Sequence, residues 1–126
     1  MTKEEVVSLF RRHDRWWKEL QNMESITWSQ IPWPTLRVPR IIEDLSTSAI
    51  DAYVQSPHYP DDGSKSARDR IKAQIRKWHP DRFDNLILRK VIEEDRERVQ
   101  EAAGTVVRDL NELLNRRSKA DALFGG

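Results

Sequence analysis

Cysteine is missing from all 126 residues. That excludes a disulfide framework, a thiolate metal site and a cysteine nucleophile, and it favours a reducing compartment. An excess of one charge is missing too. The 22 basic and 21 acidic residues leave a net charge of +1, so no global field draws the chain to nucleic acid or to a membrane. Any electrostatic role must lie in local patches. No apolar run reaches the length that spans a bilayer. The start, Met1-Thr2-Lys3-Glu4-Glu5, is acidic and helix-forming, with no signal-peptide core behind it. There is no tandem repeat, low-complexity tract, nucleophile elbow or glycine-rich phosphate loop. Imidazoles are limited to His13, His58 and His79. These absences lead us to expect a monomeric, non-enzymatic protein of the cytoplasm or nucleus, with no cofactor, no metal and no membrane partner.

What is present suits an all-α domain. Hydrophobic residues make up 37% and charged residues 34%, enough for one narrow apolar stripe per helix under a heavily charged surface. Thr2-x-x-Glu5 is a capping box, and Val6, Phe10, Trp17 and Leu20 recur at helical spacing, which predicts a helix over Lys3 to Leu20. From Asn22 to Pro39 the pattern breaks, and Ile31-Pro32-Trp33-Pro34 predicts an extended arm hugging the surface. Four of the five tryptophans (Trp16, Trp17, Trp28 and Trp33) lie in this N-terminal third. They either pack the arm onto the helices or line a groove for another protein.

A second helix is expected from Ser48-x-x-Asp51, with Ile50, Tyr53 and Val54 on one face and Ser56-Pro57 at its end. The Asp61-Asp62-Gly63 stretch reads as a solvated turn, since the further ligands of a calcium loop are missing. Ser66-x-x-Asp69 caps a third helix. Ile71, Ile75 and Trp78 form its core face, Arg68, Lys72 and Arg76 an adjacent basic stripe, and Arg70 and Lys77 lie around the back. Pro80 stops it. After one short apolar element around Leu86–Ile92, a long helix from about Glu94 to Arg117 carries Val99, Ala103, Val106, Leu110 and Leu113. Gly104 inside it suggests close approach of another helix. The expected division is 1–45 for the N-terminal helix and arm, 46–118 for the main helical region and 119–126 for a flexible tail, in one compact unit.

Function concentrates in Arg68 to Phe83. Segment 66–82 holds six basic and two acidic residues, a local charge of +4, and 93–101 holds five acidic and two basic residues, a charge of −3. The first attracts an acidic protein surface. The second complements it if the two helices pack antiparallel. Between them stands His79-Pro80-Asp81. The proline stiffens the turn, so little entropy is lost on docking, and Asp81 offers a carboxylate to a partner arginine or amide. His79 orients the turn by hydrogen bonding.

This stretch resembles the J domain of DnaJ co-chaperones, in which a basic helix and a longer helix form an antiparallel hairpin with an HPD loop at its tip. Trp78 stands where that family has a tyrosine, and Arg68, Lys72 and Lys77 coincide with its basic positions. The resemblance implies docking on a DnaK-type heat-shock chaperone and stimulation of its ATP hydrolysis, with His79, Pro80 and Asp81 critical and Lys72, Arg76 and Lys77 steering. Three features differ from the family: its opening tyrosine-rich segment is matched only loosely, by Ala49 to Val54, Gln74 stands at an apolar position, and the insert after Asp81 is longer. Trp78 to Phe83 (WHPDRF), Ile31 to Pro34 (IPWP) and the Trp-rich helix together look like the C-terminal region of NF-kappa-B inhibitor-like proteins and related fungal J-like proteins.

Plainer readings stand beside this one. The tripeptide can be a helix stop with Asp81 capping the segment after it, and the basic stripe can be a solvated face. A J-like scaffold without chaperone stimulation is the main alternative. A weaker one is nucleic-acid binding through Arg11-Arg12, the basic helix and Arg116-Arg117. A metal site drawn from His58, His79, Asp61 and Asp81 lacks ligand pairs at helical spacing.

Overall fold

A computed structural model describes residues 1–61 and 63–124. The described residues form five α-helices: α1 (Lys3–Leu20), α2 (Thr47–Val54), α3 (Ala67–Trp78), α4 (Pro80–Leu86) and α5 (Glu93–Phe124). Among the described residues the strand-like pairing is limited to one parallel bridge between Ile26 and Val91, so the fold is all-α. No helix among them is long and apolar enough to cross a membrane.

Local chemistry sets most helix starts. At α1 the Thr2 hydroxyl accepts from the Glu5 amide and the Glu5 carboxylate accepts from the Thr2 amide. At α3 the Ser66 hydroxyl accepts from the Asp69 amide. The second helix begins earlier than its sequence pattern predicts: Ser46, not Ser48, is the cap, accepting from the Ala49 amide. Both serines carry the right hydroxyl, and the 3₁₀ turn over Ile42–Asp44 delivers the chain to Ser46. At the other end α5 does not stop near Arg117. It continues to Phe124 through helix-favouring Lys119, Ala120 and Leu123, with Asp121 paired to Arg68 at 3.6 Å. The segment expected as a tail is therefore helical to Phe124, while Gly125 and Gly126 lie outside the described residues.

The Arg68–Asp121 pair joins the first turn of α3 to the end of α5, so these two helices form an antiparallel hairpin. Their shared core is Ile71 and Trp78 against Val99, Val106 and Leu110, all buried; Ile75 lies at the edge and is only partly buried. The expected opposition of the basic helix and the acidic 93–101 segment yields no ion pair among the described residues. Asp95 instead pairs with Arg98 and accepts the Trp28 amide. Gly104 is not a close-approach site either, because a Cβ placed there meets nothing within 4 Å.

The arm differs most from expectation. It does not hug the surface: Ile26, Trp28, Ile31, Pro32, Trp33, Pro34 and Thr35 are all buried. Pro32, Pro34 and Pro39 have no amide to satisfy, and the Gln30, Ile31, Trp33 and Thr35 amides donate to carbonyls within the arm. The Trp28 indole donates to the Pro39 carbonyl at 2.8 Å, and the Trp33 indole donates to the Trp28 carbonyl at 3.1 Å. Two bonds fasten the arm to the segment before α5: the Ile26 amide donates to the Lys90 carbonyl, and the Ile92 amide donates to the Ile26 carbonyl, both at 2.9 Å. The Lys90 ammonium donates in turn to the Gln21 carbonyl at the end of α1 (2.9 Å). An N-terminal region that could have been an appendage thus supplies core.

Candidate functional site

The turn after α3 is built on Trp78. Its ring stacks on Trp33 from the arm (5.1 Å, 13°) and on Phe83 from α4 (5.3 Å, 29°), and meets Trp17 of α1 edge-on at 5.1 Å. Two segments distant in sequence and the helix that directly follows α3 thereby fix one side chain, and aromatic pairs of this geometry add to the area they bury. The indole N–H donates to the Gln74 carboxamide oxygen at 3.3 Å, and the Gln74 amide donates to the Tyr59 hydroxyl at 2.7 Å. Gln74 is thus buried with both ends satisfied, which a leucine at that position could not do for the indole or the phenol.

Pro80 ends α3 and immediately opens α4, where its missing N–H and fixed φ cost nothing at the first helical position. His79 serves as cap for both helices. Its amide donates to the Ile75 carbonyl (2.8 Å), its carbonyl accepts from the Phe83 amide (2.8 Å), and its Nδ1 accepts from the Asp81 amide (3.2 Å). The tripeptide is therefore a rigid helix-to-helix junction and not an extended loop. Phe83 explains why: buried against Trp78, it draws the chain straight back into helix. The capping side chain is His79, so Asp81 does not cap the helix it enters. The Asp81 carboxylate is 95% exposed, with the half-exposed His79 ring 3.8 Å away. The longer insert is filled by α4 and a 3₁₀ turn over Leu88–Lys90, where one short apolar element was expected.

The basic residues of α3 divide by task. Lys72 and Arg76 are exposed. Arg68 is partly buried and paired with Asp121. Lys77 is half-buried with its ammonium over the Trp17 ring at 5.5 Å, and burial pulls its pKa below the usual lysine value. Arg70 is not a free cation on the back of the helix. It binds Asp61 through Nε at 2.6 Å and the Val54 carbonyl at 3.0 Å, and lies over the Tyr59 ring. That corrects the reading of Asp61 as solvated, since its side chain is 4% exposed. Asp62 lies outside the described residues. Gly63 closes this turn at φ +81°, a conformation that favours glycine, with its amide donating to Asp61.

Of the other cations in the sequence, Arg12 lies over Trp16 and Arg116 pairs with Glu112. His58 and Asp61 do not meet His79 and Asp81 in any cluster able to hold a metal among the described residues. Sequence reasoning missed Arg82 and Leu86, which with Trp17 border the junction on its α1 side. Leu86 reads in sequence as part of an apolar run with Ile87 and Leu88, and nothing local marks it as the exposed member.

The comparisons with known proteins agree with this part of the chain. A family model, the NF-kappa-B inhibitor-like protein 1 C-terminal domain, matches residues 54–120. That span runs from the end of α2 to late in α5 and includes the junction. No curated protein and no solved structure matches the chain. Because the matched span exceeds half of the 126 residues, the chain belongs to the family of NF-kappa-B inhibitor-like protein 1 C-terminal domains.

Proposed function

We propose that this chain is a J-domain-type docking module. Its His79-Pro80-Asp81 junction and the Lys72 and Arg76 face engage the ATPase domain of a DnaK-type heat-shock chaperone and accelerate ATP hydrolysis there. The chain itself catalyses nothing. The observation that carries this reading is the state of Asp81: a carboxylate 95% exposed on a backbone held by the hydrogen bonds of His79. A charged group kept in place but left without structural duty is suited to a partner's arginine or amide, and its rigidity lowers the entropy lost on binding. Lys72 and Arg76 supply positive charge for encounter with an acidic surface.

A second reading is favoured by Pro80 opening a helix. A junction of this stiffness suits a docking scaffold that binds its partner without stimulating it. Single-turnover ATP hydrolysis by a DnaK-type chaperone separates the two. Acceleration by the wild-type chain that Asp81→Asn abolishes, with unchanged circular dichroism, supports the co-chaperone reading. No acceleration with chaperones from several compartments leaves the scaffold.

A further inference from the structure

A cleft opens beside the junction, between the end of α1 and α4. Its floor is Trp17, Phe83, Leu86 and Ile87, and Lys77 and Arg82 stand on its rim. Phe83 and Ile87 are buried, but Leu86, on the same face of α4, is 43% exposed. The cleft therefore shows apolar surface to water immediately beside two cations.

The cations make this more than an exposed leucine. Among the described residues no carboxylate lies within ion-pair distance of Lys77 or Arg82. Lys77 is also half-buried, with the Trp17 ring beneath its ammonium. The acid with most influence on it is Asp14, and Lys18 already engages Asp14 at 3.4 Å. A cation with part of its hydration removed and no carboxylate in contact gains more from an incoming one than a fully hydrated cation does. Arg82 adds a planar fork that can take both oxygens of a carboxylate. Two like charges on one rim also repel a basic amphipathic occupant.

We propose that this cleft seats an acidic-aliphatic segment of a partner protein, with a leucine or isoleucine against Trp17 and Leu86 and a neighbouring carboxylate between Lys77 and Arg82. The proposal goes beyond the chaperone reading and does not depend on it. Because Lys77 and Arg82 flank the tripeptide in the chain, such an occupant would be held alongside the junction.

The test is a two-dimensional NMR titration of the full chain with a short end-capped peptide of glutamate and leucine. Saturable shifts at the Trp17 indole and the Leu86 methyls are expected. The apparent affinity should fall at least tenfold in Lys77→Glu and in Leu86→Glu. Leu86→Ser serves if circular dichroism shows that the glutamate variant is unfolded. Three results overturn the proposal: no saturable shift, an equal response to a lysine–leucine peptide, or shifts centred on the exposed Val38 and Ile41 instead. Asp81→Asn lies outside the cleft and should leave the peptide response intact, so failure here and failure of chaperone stimulation are distinguishable.

Discussion

Trp78 and Asp81 stand three positions apart, and the fold uses them in opposite ways. The inner side of the turn is held redundantly: Trp78 has aromatic neighbours from the arm, α1 and α4 and a hydrogen bond from its indole to Gln74. The outer side has almost nothing to hold. Asp81, Lys72 and Arg76 point their charges at water. The difference teaches that the stiffness of the outer side comes from the inner one, because His79 is tied at once to Ile75 behind it and Phe83 ahead of it. It also crosses the boundary of the family match: Trp17 and Trp33 lie before residue 54, yet they pack the residue on which the matched junction rests.

The most severe way to break this comparison is to empty the inner side. Trp78→Ala is expected to cost about 3–5 kcal/mol, the usual range for deleting a buried tryptophan. Trp33→Ala should cost nearly as much, although it lies in the arm. Urea denaturation checks both, and the double variant should show a coupling of about 1 kcal/mol between the stacked rings. If Trp33→Ala cost less than about 1 kcal/mol, the arm would be an attachment and the junction would owe its stiffness to the hairpin alone.

That dependence was only half legible in the sequence. Helix starts that rest on neighbours three residues apart, Thr2 with Glu5 and Ser66 with Asp69, are visible in the string because the chemistry is local. The periodicity of Ile71 and Trp78, and of Val99, Val106 and Leu110, likewise marks buried faces. What stays hidden is any partner supplied from afar. Asp61 looks like a turn residue until Arg70 arrives nine positions later, and Gln74 looks misplaced until Tyr59 and the Trp78 indole are seen on either side of it. Packing of Trp33 onto the helices was one of the two readings its sequence offered, but Trp78 as its partner stays hidden, because proline announces extended backbone and says nothing of what that backbone packs against. At the site, the tripeptide and its basic helix were legible, but the helical start at Pro80 and the exposure of Leu86 were not, because Phe83 and Ile87 decide them through tertiary contact.

Acid should separate the two sides next. His13 is buried beside Tyr53, sharing a hydrogen bond of 2.9 Å, and burial with help from Arg12 and Lys77 lowers its pKa from 6.5 to about 4. Above pH 6.5 the imidazole is neutral whether the chain is folded or not, so it adds no pH dependence. Between 6.5 and about 4 the unfolded chain takes up the proton and the folded chain resists it, so stability falls with pH by about 3 kcal/mol in total. Denaturation midpoints in His13→Gln should be flatter across that interval than those of wild type. Parallel profiles would mean that the buried histidine is not held neutral.

A smaller effect of opposite sign is expected at Gly104 on α5. A methyl group there meets nothing within 4 Å, so Gly104→Ala should stabilise the chain by up to about 1 kcal/mol through helix propensity alone. Thermal denaturation is enough to read it. A loss of stability would restore the close helix approach that the sequence suggested and the packing does not contain.

The smallest stability change belongs to the outer side, and it is the most informative. Asp81→Asn keeps the size of the side chain, and the carboxylate it replaces is 95% exposed and caps nothing. The amide of residue 81 still donates to His79 Nδ1, so the junction keeps its geometry. Folding stability by urea should therefore change by less than about 0.5 kcal/mol, while chaperone stimulation, on the proposed reading, disappears. The pairing of those two results matters more than either alone. A structural residue loses function and stability together, as Trp78 should. If Asp81→Asn destabilised the chain by more than about 1 kcal/mol, its carboxylate would be serving the fold, and the division between an inner side that builds and an outer side that binds would fail at the residue where it is drawn most sharply.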